Sequence, residues 1–225
     1  MSSIKKSLKQ FKVLITSGPT REYIDPIRFI SNLSSGQMGY FLAKTILKDR
    51  AKVTVISGPV QIKPPKKART IFIETANEML REVQKNIKSA DIFISCAAVS
   101  DYRPEKFLKK KIKRSKKTLL LKLIQNPDIL GSVSLSKKYS RKLFVGFALE
   151  TNNLLKNAIK KLRSKNLDII VANSEKTIGK ENSSGYIITK NKEIEKFNSI
   201  SKEKLSKILW KKIKKIYEKK LNKKN

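Results

Sequence analysis

Short unbroken runs of β-branched residues, each handing over to a helical pattern, constrain this chain more than any other feature. Lys12-Val-Leu-Ile-Thr16, Lys52-Val-Thr-Val-Ile56, Thr70-Ile-Phe-Ile-Glu74 and Asp91-Ile-Phe-Ile-Ser95 read as strands buried on both faces. Between them, Met38 to Lys48 carries Leu42, Ile46 and Leu47 on one helical face. Ala76 to Lys88 does the same with Met79, Leu80, Val83 and Ile87. Strand and helix in alternation predict a doubly wound α/β fold, a mostly parallel sheet in a Rossmann-like three-layer sandwich.

The second half continues the pattern. Thr118 to Ile124 is a strand candidate after a charged loop. Asn126-Pro127-Asp128 reads as a helix start, with Asn126 as cap and proline in the first turn. Leu143 to Phe147 and Asp168 to Ala172 are strands, with a helix over Thr151 to Arg163 between them. Gly185 to Phe197 reads as a small C-terminal hairpin turning near Asn191. Ser201 to Leu221 is a long basic helix whose stripe of Leu205, Ile208, Leu209, Ile213 and Ile216 suits packing on the sheet. No repeat or Gly/Ser linker interrupts the chain, so residues 1–225 are expected to form one domain. Within it, 1–11 is a basic tail, 106–117 a mobile basic flap and 201–225 the terminal helix.

Residue usage excludes several chemistries. There is no histidine, which removes Ser-His-Asp and Cys-His systems and histidine-held zinc. Cys96 is the single cysteine, so no disulfide can form within the chain. At a strand end with little beside it to lower its pKa, it reads as packing. The formal charge is +34, from 52 basic and 18 acidic residues. Such a balance raises nucleic-acid or anionic-membrane binding. Yet only nine of the basic residues are arginine, the side chain suited to bidentate phosphate recognition, and the charge is spread. It reads as a solvated lysine surface, with no specific nucleic-acid partner. No run reaches the roughly 18 apolar residues of a membrane span. No apolar stretch follows the basic start as a signal peptide would need, so a cytoplasmic location is expected.

Ligands of an open parallel sheet bind beyond the carboxyl ends of its strands. After the first strand comes Ser17-Gly18-Pro19-Thr20-Arg21, and then Asn32-Leu-Ser-Ser-Gly-Gln-Met-Gly39 opens the helix. Glycines and hydroxyls there can offer N–H groups to an anion. A tight strand-to-helix turn would explain them equally well, and neither GxGxxG nor a Walker loop is present. After the fourth strand comes Cys96-Ala-Ala-Val-Ser-Asp-Tyr-Arg-Pro104. Its small residues admit a flat ring, and Asp101 can accept hydrogen bonds from a base or ribose.

Taken in order, these loops resemble the phosphopantothenoylcysteine synthetases, the phosphopantothenate–cysteine ligases of coenzyme A biosynthesis. The matching stretches are Ile15 to Arg21, Asp25-Pro26, Arg28 to Gly39, Val55 to Pro59, Ala97 to Pro104, Lys111 to Arg114, Asn126 to Ile129, Val145 to Phe147, Glu150-Thr151 and Lys165 to Asp168. The resemblance implies that a nucleotide, usually CTP with Mg²⁺, activates the carboxylate of 4′-phosphopantothenate. Pyrophosphate leaves, and the amine of L-cysteine then displaces CMP. No enzyme nucleophile is needed, in keeping with the absent histidine.

Carried onto this chain, the resemblance puts the nucleotide against Gly18, Asp101, Asn126, Pro127, Asp128, Ile129, Phe147, Lys161 and Lys165. Asn32, Arg28, Ala97 and Ala98 would face the acyl substrate. Lys111, on the flap, and Asn32 would act in catalysis. Metal ligands stay unassigned. Lys161 and Lys165, four apart, share a helix face; without the resemblance they would pass for surface lysines. Gln37 stands where lysine is usual, Leu149 where alanine is, and Ser174 where aspartate is; Lys180 to Gly185 also departs from the pattern. A homodimer is expected, sharing a surface around Thr118 to Ile124. Eleven residues precede the first strand, which leaves no room for a flavin decarboxylase; that activity is expected on a separate chain, with no flavin here. A nicotinamide-dependent reductase is the neighbouring alternative, but no acidic residue follows the second strand, where Ser57-Gly-Pro59 stands. A basic nucleic-acid-binding protein is another; it would leave the ordered loop motifs unexplained.

Overall fold

The structure is a computed structural model that describes residues 11–114, 118–174, 180 and 182–222. In chain order its elements are β1 (Lys12–Ser17), β2 (Arg21–Tyr23), β3 (Phe29–Ser31), α1 (Gln37–Lys48), β4 (Lys52–Ser57), β5 (Arg69–Phe72) and α2 (Ala76–Asn86). Then follow β6 (Ile92–Ser95), β7 (Tyr102–Pro104), β8 (Leu123–Gln125), α3 (Ile129–Ser134), β9 (Leu143–Glu150), α4 (Leu154–Ser164) and β10 (Ile169–Ser174). The antiparallel pair β11 (Asn182–Thr189) and β12 (Ile194–Ser201) and the helix α5 (Lys202–Asn222) complete it.

Eight strands form one sheet in the order β12-β11-β10-β9-β6-β1-β4-β5. The six from β10 to β5 are parallel, and β11 and β12 extend the sheet antiparallel. From β1 the chain winds outward through β4 and β5, then returns to lay β6, β9 and β10 on the other side. The winding therefore reverses between β1 and β6, where doubly wound sheets bind ligands.

Successive residues of each inner strand feed opposite cores. Val13 and Ile15 pack with Leu42, Ile46, Leu209, Trp210 and Ile213 of α1 and α5. Leu14 and Phe93 pack with Met79, Val83, Val133, Ala158 and Leu162 of α2, α3 and α4. Both faces are covered, which is why the strands read as unbroken apolar runs. The α/β sandwich is as expected, and α5 lies against α1 and the sheet. Trp210 Nε1 and Lys214 Nζ both donate to Asp49, each at 2.6 Å, and the Phe11 and Tyr217 rings meet edge to face at 5.1 Å.

The structure differs from the sequence reading in three respects. The strand expected over Thr118 to Ile124 is confined to β8, and it pairs with β7 as a ribbon outside the main sheet. β2 and β3 form a second small ribbon that the sequence did not reveal. α3 is capped by Asp128, whose Oδ1 accepts from Gly131 N–H at 3.0 Å; Asn126 lies outside the helix. The Asn126 side chain is engaged with Ser100 O and Arg103, so it is not free to cap, and Asp128 takes that place. The tail over 1–10, flap residues 115–117, and 175–179 with 181 lie outside the described residues.

Candidate functional site at the carboxyl edge of the sheet

At the switch point β1 and β6 stay bound to each other beyond their ends. Ala98 N–H donates to Gly18 O at 2.9 Å, and Thr20 N–H to Ala98 O at 3.4 Å. The chain can turn here because Gly18 adopts a φ of 76°, a region costly for side chains with a Cβ. Ser17 Oγ donates to Gly36 O at 2.9 Å and ties the loop before α1 to the same place. The neighbouring β4 end presses in just as closely: a Cβ on Gly58 would lie 1.7 Å from Pro19 O. Ala98 therefore spends its backbone groups on the sheet and offers a small smooth surface. Ala97, half-buried, does the same, its N–H at 3.4 Å from Thr16 Oγ1. Cys96 is not a nucleophile in waiting, since burial pushes its thiol up to about 12 against a weaker pull from Lys202.

One step along the edge, residues from four segments converge. Lys165 Nζ meets Asp128 Oδ1 at 2.8 Å, and Lys161 Nζ reaches Phe147 O at 3.4 Å. Burial lowers the pKa of Lys161 and the Lys165 charge adds to this; Glu150, Asp128 and Asp101 act against both. Burial also works against the Asp128 charge, but Lys165, the Gly131 N–H and Lys161 outweigh it and hold the carboxyl below its usual value. Two ammonium groups, the Phe147 carbonyl and an exposed carboxylate at Asp101 thus share one surface, while the partly buried Phe147 ring packs with the core on the α1 and α5 side. That combination can bind a phosphorylated compound that offers a hydrogen-bond donor.

Asn126, Pro127 and Ile129 stand behind this surface. Asn126 is buried; its Nδ2 donates to Ser100 O at 2.9 Å, its Oδ1 accepts from Arg103 at 3.0 Å, and its N–H donates to Asp101 O at 2.7 Å. Its side chain is committed to shaping the Asp101 loop. Ile129 belongs to the core under α3, and Pro127 is half-buried beside it. Arg103 was not singled out from the sequence, because its partners are brought together only by the β7–β8 ribbon.

Asn32, just past β3, donates from Nδ2 to Val99 O at 3.0 Å and so lies beside the Ala97–Asp101 loop. Arg28 and Lys111 lie on the flap side of the site, Lys111 on the flap itself. Arg28 donates to Asp25 Oδ2 at 2.5 Å and to Ile112 O at 3.3 Å. Through these bonds it holds the flap. Lys111 is exposed and pairs with no described residue; its neighbours tie the flap to the loop between β2 and β3, with Leu108 N–H donating to Ile24 O at 3.0 Å. Asp25 entered the sequence reading only as part of the Asp25-Pro26 stretch and was given no role, although Asp-Pro-x-Arg is a recognisable turn signal. Among the described residues no three Cys, Asp or Glu side chains group to hold a metal ion. A cavity of about 650 Å³ lined by Asp168, Lys190 and Lys220 lies under α5, at the opposite edge of the sheet.

Residues 8–217 match the family model described as DNA/pantothenate metabolism flavoprotein C-terminal domain. The chain belongs to this family. Among its relatives, the coenzyme A biosynthesis bifunctional protein CoaBC of Vibrio vulnificus (strain YJ016) is 43% identical over 187 residues, 82% of this chain and 46% of that protein. The CoaBC protein of Borreliella burgdorferi is 39% identical over 209 residues, 92% of this chain and 53% of that one. The chain thus spans about half the length of the curated relatives it matches. A crystal structure of the C-terminal domain of a CoaBC protein superposes with a TM-score of 0.81 at 34% identity, covering 95% of this chain and 99% of that one. As a member of the family, this chain keeps the family's sheet and its order of loops. Among the described residues no helix is long and apolar enough to cross a membrane.

Proposed function

We propose that this chain is the ligase that joins 4′-phosphopantothenate to L-cysteine in coenzyme A biosynthesis, with CTP as the activating nucleotide. The observation that carries this reading is the meeting of Asp101, Asp128, Phe147, Lys161 and Lys165 on one surface, in a chain of this family.

Lys161 and Lys165 are four residues apart where α4 ends, so both ammonium groups can lie along one triphosphate. Asp101 supplies a hydrogen-bond acceptor for base or sugar. A substrate carboxylate oxygen then attacks the α-phosphorus, the bond to the β-phosphate oxygen breaks, and pyrophosphate departs. The nitrogen of cysteine attacks the acyl carbon of the mixed anhydride, loses a proton and expels CMP. The protein's work is to hold reactants in line and to offset charge on the phosphates. Asn32 offers an amide to the acyl group without adding charge. Among the described residues no carboxylate cluster groups to hold a metal ion, so the expected Mg²⁺ would have to be brought by the nucleotide and would help to offset phosphate charge.

The test is pyrophosphate release before any cysteine is added. Purified chain with CTP should release pyrophosphate only when 4′-phosphopantothenate is supplied, and CMP should follow on adding cysteine. Release with ATP and not CTP would correct the nucleotide. No release with any nucleotide would overturn the reading.

A further inference from the structure

Asp25 has a buried carboxylate whose two oxygens serve different parts of the chain. Oδ1 accepts the N–H groups of Ile27 and Arg28, both at 2.9 Å, and closes the turn between β2 and β3. Oδ2 accepts from Arg28 Nη1 at 2.5 Å and from Ile112 N–H at 3.1 Å, 87 residues away. The Arg28 guanidinium in turn donates from both terminal nitrogens to Ile112 O, each at 3.3 Å. Both backbone polar groups of one flap residue are therefore gripped, one by each member of the Asp25–Arg28 pair. The local turn needs only Oδ1. A buried carboxylate left with half its acceptors empty is costly, and here the second oxygen is satisfied only by Arg28 and the flap. Burial opposes the charge, yet the donors from Ile27, Ile112 and Arg28 hold the carboxyl well below its usual range, so it stays ionised across ordinary pH.

From this geometry we infer that Asp25 is a positioning residue: it locks Arg28 and Ile112 into one unit and so sets the point from which Lys111, the preceding residue, reaches. Lys111 has no described partner of its own, so its reach is governed by where the backbone is pinned. The consequence for Lys111 rests on the ligase reading; the clamp on Ile112 does not.

Asp25→Asn separates the two oxygens. Asparagine keeps an acceptor for the turn but sets an NH₂ group against the Ile112 N–H and the Arg28 guanidinium, donor facing donor. Tryptic cleavage of the native chain after Lys109 to Arg114, followed by mass spectrometry, should accelerate about tenfold or more, because cleavage tracks the released population. The melting temperature should stay near that of the parent. In single-turnover pyrophosphate release from CTP and phosphopantothenate, kcat should fall roughly 10- to 100-fold, with the KM for CTP little changed. Ile112→Pro deletes the N–H that Oδ2 receives, while also fixing φ at 112 and restricting Lys111, and should lower kcat at least as much. Adding Asp25→Asn to it should change little further, as for two halves of one contact. Unchanged cleavage in both variants, a kcat loss that merely follows a collapse in melting temperature, or fully additive losses would each overturn the inference. If the parent chain releases no pyrophosphate, the ligase reading fails while the cleavage comparison still decides the clamp.

Discussion

Asn32 has one end of its amide engaged, with Nδ2 on Val99 O and no described donor on Oδ1. Asn32→Ala should slow overall ligation by roughly 10²-fold while CTP affinity, measured by calorimetry, stays near that of the parent. Lost CTP binding with intact phosphopantothenate binding would reverse its assignment. Lys111→Gln should depress single-turnover pyrophosphate release by about 10²- to 10³-fold, nearer the low end because lysines 109, 110 and 113 crowd it. Lys109→Gln and Lys110→Gln should be nearly silent, and equal small losses at all three would mean that the flap supplies only diffuse charge. Lys161 gives a pH prediction. Burial and the Lys165 charge lower its pKa, so it gives up its proton at a lower pH than an ordinary lysine. CTP affinity should then weaken as pH rises before ordinary lysines titrate, and Lys161→Arg, whose charge persists, should flatten that fall. The family resemblance singled out Lys161 and Lys165, and the structure brings them to Phe147 and Asp128. The work of Arg28 was not legible, since its partner Ile112 lies 84 residues away and nothing in the local pattern joins them.

Element boundaries were readable where burial is two-sided. β1, β4, β6 and β10 carry unbroken apolar runs because helices cover both faces. β2, β3, β7 and β8 have three residues each, too few for any periodicity; β2 pairs with β3 across the turn that Asp25 closes, and β7 pairs with β8 across the longer flap. Asp128 took the capping role from Asn126 because the Asn126 amide is spent on Ser100 O and Arg103, contacts made far away in sequence. The join between β1 and β4 is the tightest point near the site, with Gly58 N–H donating to Ser17 O at 2.9 Å. Gly58→Ala would drive a Cβ into the Pro19 carbonyl. Denaturant melts should show a loss of about 1–3 kcal/mol or more, and the Gly18–Ala98 pairing should loosen with it. An alanine variant as stable as the parent would mean that this loop gives way easily.

At the scale of the molecule, one end carries apolar side chains that the described residues leave exposed. Ile27, Phe29, Tyr102, Phe107, Leu120 and Leu123 are all exposed on or beside the two ribbons and the flap, Leu120 at 91%. A patch of this kind marks an interaction surface, and the occupant we expect is a second copy of the chain. Light scattering should give about twice the chain mass, and Leu120→Lys with Leu123→Lys should halve it. A fully active monomer at micromolar concentration would refute the dimer. The sequence by itself determined the layered sheet, the helices on either face and the order of the loops, because these follow from local periodicity and from residues near one another in the chain. Only the tertiary structure decided that Arg28 grips the flap, that Asn126 braces the Asp101 loop, and that the ribbons gather exposed leucines at one end. Those outcomes depend on hydrogen bonds and contacts between segments far apart in sequence, whose register is set by the packing of the whole sheet.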